Sequence, residues 1–528
     1  MNRNHDQLEE RELSTFDGGL KLVGHKQISS SSAITSPAPS KHYIIPLQQH
    51  IGAISQVLVK SGDRVLKGQM IAKRGDLISA AIHAPVSGIV TDIKQHPVPH
   101  ASGLSDECIF IENDFKEKWV ERHPLGDDYN HTSSSNLRKI IRDTGIVGLG
   151  GATFPASVKQ TEINLKTLII NGAECEPYIS CDDALMRERA AEVISGADII
   201  GHIIKARRCI IAIEDNKPEA IKAMQAVVDE DGTGFFRIQV IPTIYPSGGE
   251  KQLIKIITGK EVPMHRFPAE IDVLCHNVAT AYAIHRAIYF AEPLISRITT
   301  ITGPGIAKPQ NIEVLIGTPM HACIEHCGGY TEESDELIMG GPMMGFSLKS
   351  DNLPIVKATN CLLVTTNEKE IPRQNHLPCI RCGKCVDVCP ARLLPQQLYW
   401  YASSRNTDRL LEHNLFDCIE CGCCAYVCPS DIPLVQYYRS AKTTYIQQER
   451  ERKASDIARQ RHEAHQARLE KQKKEREERL RKKREMLKNK SNDKKADKKD
   501  SKKAAIADAV ARAQAKKAER LKDNKTTE

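Results

Sequence analysis

The sequence predicts a multidomain chain of α/β and β architecture, and three observations predict it. Residues 135–291 alternate strand-like and helix-like patterns, the signature of a parallel sheet covered by helices. On both sides of that core lie short β-branched segments broken by Gly and Pro turns. Beyond them a cysteine run occurs twice, and the chain then becomes almost wholly charged. At 528 residues the length suits several domains, each able to bury its own core.

The duplicated run carries the strongest chemistry. Cys379, Cys382, Cys385 and Cys389-Pro390 follow C-x2-C-x2-C-x3-C-P, and Cys418, Cys421, Cys424 and Cys428-Pro429 repeat it. Bacterial-type ferredoxins hold [4Fe–4S] clusters at this spacing, with the fourth Cys of each run ligating the other cluster. The expected quartets are therefore Cys379, Cys382, Cys385 and Cys428, and Cys418, Cys421, Cys424 and Cys389. Structural zinc is the alternative, but a tetrahedral site has no use for a trailing Cys-Pro in both copies. Cys423 is surplus and reads as a small buried thiol. Nine of the 17 cysteines fall between Cys379 and Cys428, which argues thiolate ligands in a reducing compartment over disulfides.

Charge divides the chain. Residues 451–528 hold 28 Lys and Arg against 15 Asp and Glu, a net of +13, which leaves the preceding 450 residues at −6. No run of about twenty apolar residues occurs, so no spanning helix is expected. Residues 1–40, rich in Ser and Pro at their end, read as a flexible lead-in without an apolar signal region.

Residues 41–115 show hairpin-like segments, Val57–Val59 before a Gly62-Asp63 turn and Ala84–Val90 after a second one. They resemble the barrel-sandwich hybrid of lipoyl and biotinyl carriers. Such carriers display a lysine at the hairpin tip. Here Ile78–His83 contains none, which favours a packing or docking module over a swinging arm.

Within the α/β core (130–291), strands are expected at Thr167–Ile170, Cys209–Ile213 and Phe236–Val240. Helices are expected at 136–142, 184–205, 218–228, 250–257 and 278–290. Four ordered motifs accompany them: Gly145 to Pro155 with Gly148, Gly150, Gly151 and Phe154, then Lys159; Asn171, Glu174 and Glu176-Pro177 after a strand; Tyr245, Gly248 and Glu250 opening a helix; and Asn277 to Thr280 opening the next. Clustered glycines let backbone amides approach a phosphate, and a Lys adds a point charge. Together the motifs resemble the NADH-oxidising flavoprotein subunit of respiratory complex I. That resemblance implies FMN contacts from Gly148, Gly150, Gly151, Lys159, Asn171, Glu174, Asn277 and Thr280. Phe154, Glu176 and Glu250 would face the nicotinamide nucleotide, with Tyr245 and Gly248 beside them. Gly249 and Ala279 stand where that family carries Glu.

Residues 296–360 suggest a β-grasp similar to soluble-ligand-binding β-grasp domains, with a helix at His321–His326 and a Met-rich Gly340–Gly345 loop. The cysteine domain occupies 368–445, with helices at 393–402 and 433–447. The tail, 446–528, is a solvated helix or a disordered arm. Attraction of its basic residues to an anionic bilayer, nucleic-acid binding and plain solubilisation are the three readings open to it.

The domain order as a whole resembles the RnfC family of the Rnf/Rsx ion-translocating electron transport complexes. It implies two [4Fe–4S] clusters, FMN and NAD(H), with electrons passing from NADH through FMN to the clusters. It further implies a peripheral protein on the cytoplasmic side of the bacterial inner membrane, partnered by a ferredoxin-like iron–sulfur protein of the same complex. A soluble flavin/iron–sulfur reductase of the cobalamin-reductase type, or a non-enzymatic electron relay, are the alternatives.

Overall fold

A computed structural model describes residues 12–160, 164–264, 266–366 and 376–523. The chain divides into two units, 1–442 and 443–528.

Among the described residues the first unit contains four sheets. The parallel one organises the rest. Its strands Thr167–Gly172, Arg208–Glu214, Phe236–Ile241 and Val273–Asn277 stand in the spatial order third, second, first, fourth. Continuous apolar runs such as Leu168, Ile169 and Ile170 suit strands covered on both faces. The fourth strand is an addition to the three expected from sequence, because Val273–Asn277 is short and ends in two polar residues. The helix expected over 184–205 is two helices, Cys181–Glu188 and Ala190–Ile204, broken at Arg189.

Residues 41–115 form a four-stranded and a three-stranded antiparallel sheet around Tyr43, Ile45, Ile71 and Ile109. The β-grasp is a five-stranded sheet with the helix Met320–His326, and it is completed by Cys361–Thr366, just past the expected boundary. In the cysteine domain, the expected start at 368–375 lies outside the described residues.

One expectation is overturned, that of a flexible lead-in. Its first eleven residues lie outside the described ones. Residues 12–40, however, are laid along the molecule by specific bonds. The Ser14 amide donates to Ile256 O (3.0 Å), Gly19 N to Val388 O (3.1 Å), and Leu20 exchanges two bonds with Tyr245. Ile34 N reaches Glu188 Oε1 at 2.9 Å. Ser and Pro composition marks only the absence of regular structure, and an extended strap has none to show.

The second unit belongs to a helix, Leu434–Asp523, whose described side chains beyond Ile457 are exposed. No helix among the described residues is long and apolar enough to cross a membrane.

Candidate functional site

The two cysteine runs close around two cavities. Cys379, Cys382, Cys385 and Cys428 line one. Cys389, Cys418, Cys421 and Cys424 line the other, with Cys423 beside them. The fourth cysteine of each run thus stands in the other run's cavity. The backbone repeats as the spacing does. Gly383 (φ +85°) and Gly422 (φ +82°) take left-handed conformations and start the one-turn helices Lys384–Asp387 and Cys423–Tyr426. Backbone amides aim at sulfur: Arg381 N at Cys379 Sγ (3.4 Å), Glu420 N at Cys418 Sγ (3.4 Å) and Leu393 N at Cys389 Sγ (3.3 Å). Four sulfurs, amide donors and an apolar remainder (Ile432 and Leu434 in one, Val435 and Leu398 in the other) fit a thiolate-bound iron–sulfur cluster in each. Cys423 is fully buried against Tyr245, as its surplus position suggested.

A second constellation gathers beyond the carboxyl ends of the parallel strands. The strand order reverses between the first strand and the fourth, and open α/β sheets bind ligands at such a switch point. The first strand ends near Asn171, which accepts from Ala173 N (3.0 Å) and donates to Gly248 O (2.9 Å). The fourth ends at Asn277, which caps the helix Val278–Phe290 by accepting from Ala279 N at 2.8 Å. The glycine loop reaches the same point. Leu149 N donates to Thr280 Oγ1 (2.9 Å), and a Cβ on Gly150 would lie 3.2 Å from Asn277 Cβ. Gly148 N closes the loop onto Phe154 O (2.8 Å). Gly151, at φ +119°, has nothing among the described residues within 4 Å of where a Cβ would sit, which leaves room beside its backbone. These residues fit a phosphate-bearing cofactor cradled by backbone.

Some of the expected site residues are engaged otherwise than as free ligands. Lys159 Nζ donates to Glu250 Oε1 and to Cys275 O (2.7 Å), so two side chains expected on different ligands hold each other. The Glu176 carboxylate is half-buried and accepts from Met343 N (2.7 Å) and Met344 N (3.0 Å) of the Met-rich loop, and loss of water around it raises its pKa. Tyr245 is buried, and its hydroxyl donates to Cys421 O at 2.6 Å.

Sequence reasoning missed two neighbours. Lys26, from the strap, donates to Glu176 O (2.9 Å) and Ile179 O and stands 3.9 Å from Glu174 Oε2. Asp182 accepts from Asn277 Nδ2 (2.6 Å), while its amide donates to Glu174 Oε1 (2.8 Å). Burial, then the adjacent Glu174, pushes the Asp182 carboxyl up to about 7. Lys26 has no sequence signal. Asp182, at the start of a helix eight residues after Glu174, offers a weak one.

Comparison with known proteins covers both regions. The model of the RnfC barrel sandwich hybrid domain matches residues 14–116, and that of the Nuo51 FMN-binding domain matches 141–286. The SLBB domain model matches 298–347, and a 4Fe-4S dicluster domain matches 378–432. The C-subunit of the ion-translocating oxidoreductase complex of Pseudomonas aeruginosa is 48% identical over 87% of this chain and 59% of its own length. The protein of the same name from Yersinia enterocolitica is 46% identical over 89% of this chain and 67% of its own. The chain thus spans about three fifths to two thirds of the length of these curated relatives. A solved NAD+-reducing [NiFe]-hydrogenase in the H2-reduced state aligns with 60% of this chain and 63% of its own at 16% identity. The TM-score of that alignment is 0.43. With domain models covering both sites and that identity along most of its length, the chain belongs to the RnfC family, the C-subunits of ion-translocating oxidoreductase complexes.

Proposed function

We propose that this chain is the electron-input subunit of a membrane-bound, ion-translocating complex, taking electrons from NADH and delivering them to a ferredoxin-type partner. The observation that carries the reading is Tyr245. It stands in the loop before the helix Glu250–Thr258, at the sheet-end site, and its hydroxyl bonds a backbone carbonyl inside the second cysteine quartet. A nucleotide-type site and a cluster-type site therefore share a residue. FMN bound there would supply the conversion from the two electrons of one NADH hydride to the single electrons that [4Fe–4S] clusters accept.

The rest is the work of the chain's own residues. Gly150 and Gly151 would offer backbone amides to the flavin phosphate, Gly148 closes the loop behind them through Phe154 O, and Asn171, Glu174, Asn277 and Thr280 fix the cradle's shape. Lys159, released from Glu250, supplies positive charge, and Glu250 turns to the nicotinamide nucleotide beside Phe154, Tyr245 and Gly248. Glu176 stays with the Met343 and Met344 amides and helps close the site. Cys379, Cys382, Cys385 and Cys428 would hold one cluster, and Cys389, Cys418, Cys421 and Cys424 the other. No side-chain acid or base is needed for hydride transfer; orientation and exclusion of water are what the protein adds. The protein sits peripherally on the cytoplasmic side of the inner membrane. Its basic helix adds attraction to anionic lipid, on the order of 1 kcal/mol per Lys or Arg near the surface.

Anaerobic purification with iron, sulfide and flavin quantified, followed by NADH titration under visible absorbance, tests the proposal. The expected result is a brown protein with two clusters and one FMN, bleached by NADH. A colourless protein holding zinc would refute it.

A further inference from the structure

The stretch where lipoyl and biotinyl carriers present their lysine is turned inward in this chain. Ser79, Ala80, Ala81 and Ile82 are all buried. One of them, Ala81, meets a lysine from elsewhere. Lys357, just ahead of the strand Cys361–Thr366, is 1% exposed. Its Nζ donates to Ala81 O (2.9 Å) and to Gly145 O (2.7 Å). Its amide donates to Gln49 Oε1 (3.1 Å), and its carbonyl accepts from Arg297 Nη1.

The partners belong to three domains: Gln49 and Ala81 to the barrel-sandwich hybrid, Gly145 to the α/β core, and Arg297 to the β-grasp. Among the described residues no acid pairs with the amine. Burial alone pulls it down to about 7, and the two imidazoles that feel its charge, His50 and His83, are held neutral by burial and by Lys357 itself. Taking an ammonium out of water with only carbonyls for partners is costly, and a fully apolar joint would be cheaper to bury. The geometry gives the amine a positional use. Gly145 opens the glycine loop at φ +70°, so close to its neighbour that a Cβ would lie 2.2 Å from Ala81 O and 3.1 Å from Lys357 Nζ. The loop's far part is held by Thr280 and Asn277, as described above. Its near end is held by Lys357.

We infer that Lys357 is a positioning residue for the flavin loop, and that the barrel-sandwich hybrid serves as a fixed brace which Lys357 ties to Gly145. The inference rests on the FMN reading of that loop. It assigns the barrel-sandwich hybrid a static task in cofactor binding.

The test uses the full chain, purified anaerobically, as wild type, Lys357→Met and Gly145→Ala. FMN dissociation constants come from flavin fluorescence, and amide hydrogen exchange is followed segment by segment. Losing the two hydrogen bonds from Nζ should weaken FMN about 10- to 100-fold in Lys357→Met, with iron content unchanged. Exchange should quicken in residues 145–151 while the helices Ala190–Ile204 and Val278–Phe290 keep their protection. Gly145→Ala opens the same joint from the other side with the lysine intact, and should give the same pattern if Lys357→Met fails to accumulate. Unchanged FMN affinity in either variant overturns the inference, as does exchange that quickens evenly through the domain. If the wild type takes up no FMN, the flavin reading fails, and the exchange pattern alone still decides whether Lys357 braces the loop.

Discussion

The cysteine domain and the sheet-end site assemble their chemistry in opposite ways. The eight sulfurs lie within fifty residues of one another in sequence, and two matching backbone turns at Gly383 and Gly422 present them. The flavin-type residues range from Gly148 to Thr280 and meet only because strand order reverses at the first and fourth strands. The cysteine site is local and repeated; the sheet-end site depends on the whole α/β domain. Burial differs too. In the first quartet Cys382 is exposed beside Ile380, which is 67% exposed, whereas Cys421 and Cys424 of the second are buried. Identical spacing therefore produces one cysteine quartet with a member open to the surface and one set against the protein interior.

The largest effects should come from separating the two regions. Cys428→Ser is expected to remove the iron of the first quartet, Cys379, Cys382 and Cys385, and to leave FMN binding intact. Loss of the second quartet's iron alone would show that the crossing of ligands is wrong; iron analysis with electron paramagnetic resonance distinguishes the two. Lys159→Ala removes the charge expected on the flavin phosphate and should weaken FMN by about one to two orders of magnitude, the range for a charged hydrogen bond. Iron content should not change. Iron lost in that variant would mean that the two regions fold as one cooperative piece.

The comparison also explains what is legible before folding. The grouping of the cysteines, with the last of each run in the other run's cavity, agrees with the spacing, because a short rigid loop dictates where its own sulfurs go. Three strands of the parallel sheet and the glycine loop are readable from periodicity and turn residues. Contact between distant segments is not. Lys26 reaching Glu176 O, Glu176 taking the Met343 and Met344 amides, and Lys159 pairing with Glu250 all depend on how domains and strap are laid together. The strap escapes a reading from composition for the same reason, since its order comes from partners such as Tyr245 and Val388.

Within the sheet-end site, Asp182 offers a pH test that the cysteine domain should not share. Its carboxyl is raised from 3.8 to about 7, so the native state binds that proton more tightly than the unfolded chain. The stability it contributes is complete below the unfolded value and is lost as pH rises through about 7. Asp182→Asn, which keeps an oxygen for Asn277, should therefore gain in melting temperature over wild type as pH goes from 5 to 8. The slope is bounded at about 1.4 kcal/mol per pH unit for one proton. A difference that stays flat across that range would show that Asp182 does not hold its proton.

The smallest expected effect sharpens the comparison most, because Tyr245 is the residue the two regions share. Its hydroxyl donates to Cys421 O, and its ring packs with Cys421 and Cys423. Tyr245→Phe keeps the ring and deletes one neutral hydrogen bond, so the global cost should be about 1 kcal/mol. The consequences should fall on one side only. The second quartet should become more labile to chelator, since the freed Cys421 carbonyl lets its loop relax, while the first quartet, out of reach of the hydroxyl, keeps its iron. FMN affinity should move by less than about threefold, because the loop's ties to Thr280 and Asn277 are untouched. Equal loss from both quartets would mean that the cysteine domain responds as a unit, and that the asymmetry between its open and its buried site has no energetic counterpart.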